Sequence, residues 1–160
     1  MNSASRRIFL AAAAGALSML LFHQTTLQVF YWLGLAPSPA FRLAVVPPFG
    51  VPHVVSACFW AALIAAPCGI LHHWSDRRAW ITAMPLGVIG VLLIWFVVLP
   101  LKGQPVAYGW QIPMLIRSAT AGLMWGLGVG IILPRLLPRH LTHRGQNPNR
   151  KSWSSRHIPV

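Results

Sequence analysis

The side chains able to do chemistry in this 160-residue chain gather toward one end of its apolar stretches. His23, Gln24, Gln28 and Tyr31 share one helix face at 100° per residue. Counting 1.5 Å per residue from Ile8 puts His23 about 22 Å along that helix. His53 opens the next apolar stretch, with Ser56 one turn further on. Lys102 and Arg117 flank the last loop, and neither has an acidic neighbour in sequence. Imidazoles, amides and cations without carboxylates suit an anion, whereas hard divalent cations need oxygen ligands.

Two readings of this outer cluster stand. In one, His23, Gln24, Gln28, Tyr31, His53, Lys102 and Arg117 line an outward-facing polar pocket. In the other, the Gln, His and Thr side chains are glue, hydrogen-bonding between helices in lipid, and this is the plainer of the two. A third idea is haem, since imidazoles from neighbouring helices can ligate its iron axially. His23 and His53 meet the depth requirement loosely, and no cytochrome motif accompanies them. No Gly-flanked nucleophile or orienting acid supports a Ser56–His53 hydrolase. Cys58 and Cys68, ten residues apart on one helix, cannot bridge each other, and both read as packing residues. The expectation is a non-enzyme with no resident metal or cofactor.

The elements that must position these residues follow from composition. Apolar residues make up 56% of the chain and charged residues 9%, and Asp76 is the single acid against 13 Lys and Arg. Paired-carboxylate catalysis and carboxylate-bound metals are thereby excluded. The charges sit at the ends of long uncharged stretches, so the chain reads as an integral membrane protein. About 20 residues cross a bilayer core of roughly 30 Å, which places helices at about 8–34, 53–73, 80–100 and 113–134. The fold class is all-α, a four-helix transmembrane bundle spanning residues 1–134. Arg6, Arg7, Arg77, Arg78 and the basic tail outweigh Arg42, Lys102 and Arg117, so both termini fall in the cytoplasm. Tyr31, Trp32, Tyr108 and Trp110 mark the outer interface, and Trp74 and Trp80 the inner one. The location expected is a bacterial inner membrane, multi-pass.

Ser5-Arg6-Arg7-Ile8-Phe9-Leu10 resembles a twin-arginine export signal, but no A-x-A-like site ends the apolar run that follows. The Arg pair therefore reads as a topological anchor. Loop 1, from Ala36 to Pro52, holds five prolines and reads as stiff, partly polyproline II and laid on the outer surface. Residues 135–160 carry Arg135, Arg139, Arg144, Arg150, Lys151 and Arg156 and no acid. This tail is expected to be disordered and held against anionic lipid, with no specific nucleic-acid partner.

Ser118, Gly122, Gly126 and Gly130 recur every four residues, the small-xxx-small spacing that lets helix backbones approach in lipid. Its partner is a helix of this chain or of another. Phe59-Trp60-Ala61 echoes Met124-Trp125-Gly126. Trp60, Trp95 and Trp125 read as bulk filling the bundle or facing lipid, not as a binding cage. The leading expectation is an accessory subunit or homo-oligomer acting through helix–helix association, alone or with a partner membrane protein. A transporter or channel for a small, anionic solute comes second, and a haem-binding protein third.

Overall fold

The computed structural model describes residues 2–46, 50–70 and 79–137, with backbone alone for 79–82. Four helices account for most of it: α1 (Ser3–Trp32), α2 (His53–Gly69), α3 (79–101) and α4 (Ile112–Leu136). Three of them, all but α2, are long and apolar enough to cross a membrane. The sequence placed α1 at 8–34, but the helix starts five residues earlier. Asn2 Oδ1 accepts the Ser5 N–H at 2.7 Å, so the first turn is capped and carries Arg6 and Arg7 into the helix. Gly34, at φ 73°, lies just past its end. The expected end of α2 at residue 73 lies outside the described residues, as do Trp74, Asp76, Arg77 and Arg78.

Small residues set how the helices meet. A Cβ on Gly15 of α1 would stand 2.5 Å from the Ala61 carbonyl oxygen of α2, and one on Gly69 would strike the backbone of Arg7. These contacts run antiparallel along the α1–α2 hairpin. A Cβ on Gly126 of α4 would stand 2.7 Å from the Ala83 carbonyl oxygen of α3. Gly122 packs on Gly87 and Val91 in the same interface. The small-residue stripe of α4 is therefore used inside the chain, against α3, while Gly128 meets Ser18 and Phe22 of α1. The resulting order across the molecule is α2, α1, α4, α3, and among the described residues α2 and α3 barely touch. The core is built of Ala11, Ala14, Ala61, Ala65, Ala83 and Ala121 with Trp125, Val129 and Leu133. Large apolar side chains such as Phe59 and Leu63 point outward, 60% and 54% exposed.

Two helices carry π-turns. In α1, Met19–His23 is π-helical, and the Thr26 hydroxyl donates to the Phe22 carbonyl at 2.7 Å within this stretch. In α3, Ile94–Val98 is π-helical, and Pro100, with no N–H to give and a ring that crowds the carbonyl four residues back, follows it. Pro67 falls in the 3₁₀ turn Ala66–Gly69 that finishes α2 as described.

Loop 1 departs from the extended surface segment expected of its prolines. It folds back over the helices, with β1 (Val45–Val46) pairing antiparallel with β2 (Val51–Pro52). The Phe41 N–H donates to Gln24 Oε1 at 3.3 Å and the Ala40 N–H to Gln28 Oε1 at 3.0 Å. A sequence pattern does not reveal that two helix amides will seat a loop 12 to 17 residues away.

Candidate functional site

A cavity of about 600 Å³ lies between the helices at the end bounded by loop 1 and by loop 3, residues 102–111. All four helices and both loops line it. Five of the seven residues expected of an outer pocket reach it: His23, Gln24, His53, Lys102 and Arg117. The structure leaves the other two off the lining. Gln28 is engaged with the loop backbone. Tyr31 lies seven residues, about 10 Å, above Gln24 along the helix axis, and is 40% exposed.

His23 is the last residue of the π-turn and is half-buried, and its Nδ1 is buried with no hydrogen-bond partner among the described residues. A buried polar atom left unpaired costs about 1–3 kcal/mol. Gln24 is buried beside it and spends its carbonyl oxygen on Phe41. His53 begins α2, close enough to His23, Lys102 and Arg42 to feel their charges. Lys102 Nζ donates to Ser56 Oγ at 3.5 Å, the long limit for such a bond. Burial holds the Lys102 ammonium below its ordinary pKa. Ser56 is buried and off the cavity lining, where its hydroxyl accepts from Lys102.

Arg117 sits in the second turn of α4, its Nη2 2.8 Å from Met114 Sδ. Tyr108 lines the cavity nearby. Burial raises its pKa while the Arg117 charge pulls it the other way. Arg42, Lys102 and Arg117 thus bring three cations to the rim. The described residues contain no carboxylate side chain, Asp76 lying outside them. Among the described residues no group of three His, Cys, Asp or Glu is placed to hold a metal ion.

The walls below the rim are apolar. Trp60, Trp95 and Trp125 line the cavity, and Trp125 also fills the core between the helices. Trp95 Nε1 donates to Ser118 Oγ at 2.9 Å and Trp125 Nε1 to the Gly15 carbonyl at 2.9 Å. Both rings are therefore fixed by their polar edges, as buried indoles require. Ala57, Trp60, Ala61 and Ile64 form one face of α2 at the i, i+3, i+4, i+7 spacing of a helix. Hydropathy hides this face because the opposite one is apolar as well.

Strain collects around the same chamber. Among the described residues, the non-glycine residues with positive φ are Phe41, Ala107, Tyr108 and Trp110, at 48° to 61°. All four lie in the two loops that bound the cavity. Such conformations persist only where the surroundings enforce them, and they cluster at functional sites. The π-turns of α1 and α3 also contribute lining residues, and single π-turns are frequent at such sites.

Close small-residue contacts flank the cavity: Gly15 on Ala61, Gly126 on Ala83 and Gly128 on Ser18. Of the tail cations, Arg135 lies in α4 and donates to the Ile131 carbonyl; Arg139, Arg144, Arg150, Lys151 and Arg156 lie outside the described residues. No family model, curated protein or solved structure matches this chain.

Proposed function

We propose that this protein is a multi-pass membrane protein that binds a small anion in its outer chamber. All four helices span the bilayer in this reading, with both termini in the cytoplasm of a bacterial inner membrane. Support for the placement comes from three helices of spanning length and from large apolar side chains turned outward. The 17 residues of α2, at the lower limit for a span, rise about 25 Å. The Lys and Arg asymmetry supplies the orientation.

One observation carries the functional part: Arg42, Lys102 and Arg117 rim a cavity that no carboxylate side chain of the described residues neutralises. An anion satisfies those charges at low dielectric, where the attraction is stronger than in water. His23 Nδ1 then offers one buried polar atom to the ligand. Helix association with another chain ranks second, because the stripe that argued for it already packs on α3.

The test is ligand-induced stabilisation in neutral phosphatidylcholine nanodiscs. Inorganic phosphate, ethyl phosphate and acetate are compared with ethanol and ethylammonium. The anions raise the unfolding midpoint, and Lys102→Ala with Arg117→Ala removes the effect. A protein that no anion stabilises returns the reading to an accessory subunit. A visible haem absorption band lost in His23→Leu would put haem in the chamber instead.

A further inference from the structure

Resting on the anion reading, we infer that the ligand is amphipathic: an anionic phosphate or carboxylate head on a single apolar chain. The head meets the rim cations and the chain lies along the tryptophan-lined floor. Three features of the chamber lead there.

Its polarity is graded along the helix axis. Lys102, Arg42 and Arg117 stand at the outer end. Trp125 is eight residues further along α4 than Arg117, about 12 Å deeper. Ile64 is eleven residues further along α2 than His53, about 16 Å deeper. Past His23, the lining toward that depth is Met19, Trp60, Ile64, Ile94 and Trp125, all apolar but for two indole N–H groups, of which that of Trp125 is spent on the Gly15 carbonyl. A compact hydrated anion fills the rim and leaves this floor empty, whereas a chain covers it.

Its size fits one chain. At about 30 Å³ for each water-sized group, 600 Å³ holds about twenty heavy atoms. Dodecyl phosphate is of that size, and a two-chain phospholipid exceeds it.

Its access is lateral. Walls come from α2 on one side and α3 on the other, and these two helices barely touch. A ligand dissolved in the bilayer can slide its chain between them while the head stays level with the rim. The head does not cross the hydrocarbon, where a bare charge is expensive.

The experiment uses the full chain in phosphatidylcholine nanodiscs, with dodecyl phosphate, ethyl phosphate and dodecanol as probes. Dodecyl phosphate is expected to bind at least tenfold tighter than ethyl phosphate. Ile64→Trp, about 16 Å below His53, fills the floor and removes that advantage. An unchanged dodecyl phosphate affinity in Ile64→Trp overturns the chain placement while the anion reading survives. Dodecanol binding as tightly as dodecyl phosphate overturns the anion reading itself. Competition by phosphatidylglycerol equal to that by dodecyl phosphate overturns the single-chain assignment.

A measurement on wild-type protein guards against misfolding of the variant. Dodecyl phosphate brominated along its chain should quench tryptophan emission, and excess unbrominated dodecyl phosphate should restore it. Quenching that cannot be displaced overturns the inference.

Discussion

The hydroxyl of Ser18 on α1 donates to the backbone carbonyl of Trp125 on α4 at 2.6 Å, while the Trp125 indole returns a bond to the Gly15 carbonyl of α1. Two bonds at Trp125, one accepted from Ser18 and one donated to Gly15, thus join the two hairpins at the cavity floor. Replacing Trp125 with Phe keeps an aromatic ring and removes the indole donor. The expected loss is about 1 kcal/mol of stability, as for one interhelical hydrogen bond in a membrane. The unfolding midpoint in mild detergent reads it, and a midpoint unchanged by Trp125→Phe would mean that the bond contributes nothing to the joint.

Gln24 and Gln28 hold loop 1 closed through Phe41 and Ala40. Leu at both positions should free the loop without unfolding the helices. Trypsin cleavage after Arg42 is then expected to accelerate several-fold while the melting transition shifts by about 1–2 kcal/mol for two lost bonds. Equal cleavage rates in mutant and wild type would show that the prolines alone fix the loop.

Gly126→Leu drives a side chain into the Ala83 carbonyl region of α3. Overpacking of this kind costs about 1–3 kcal/mol or more. The drop in stability should come with no change in molar mass, because the contact lies within one chain. If light scattering instead showed a dissociated oligomer, the stripe would be serving an interface between copies.

Lys102 gives the site a pH dependence. Burial lowers its pKa, so the empty protein is penalised for keeping it charged. That penalty is full below the lowered pKa and lifts as pH rises toward the ordinary lysine value; the empty protein gains stability across that interval. An anion needs the charged form, so affinity for ethyl phosphate should fall over the same interval. Lys102→Arg, which stays charged, should flatten the fall. Titrations from neutral into alkaline pH decide, and a flat wild-type profile would remove Lys102 from binding.

Membrane orientation is open to direct measurement. Reporter fusions at Asp76 and after Val160 should report cytoplasm, and fusions near Phe41 and Gln104 the periplasm. A periplasmic C-terminus would contradict the four-span placement.

The helices were legible in sequence because lipid-length apolar runs bounded by charge leave little choice. The gathering of His23, Gln24, His53, Lys102 and Arg117 at one end was legible as well, since helical spacing and depth bring them there. Tyr31 lies off the cavity lining because a shared face says nothing of where the chamber stops. That Trp60, Trp95 and Trp125 line the cavity was not legible, for a different reason. Periodicity separates faces by polarity, and a helix apolar on both faces gives it nothing to separate. The partner of the α4 stripe was also beyond reach, since spacing shows that a backbone can approach another without saying which one. The fold of loop 1 depended on two glutamine carbonyls whose engagement leaves no local mark.

The neighbour order α2, α1, α4, α3 has a mechanical consequence. Among the described residues, three broad seams in series hold four helices, and α2 meets α3 only thinly. The described helices thus resemble two clapper boards joined along the Ser18–Trp125–Gly128 line. Swinging them apart widens the gap between α2 and α3 and breaks little there besides the Lys102–Ser56 bond. The joint carries most of the packing between the boards, so a substitution on that line should alter how far they swing even though it lies at the floor, remote from the charged mouth.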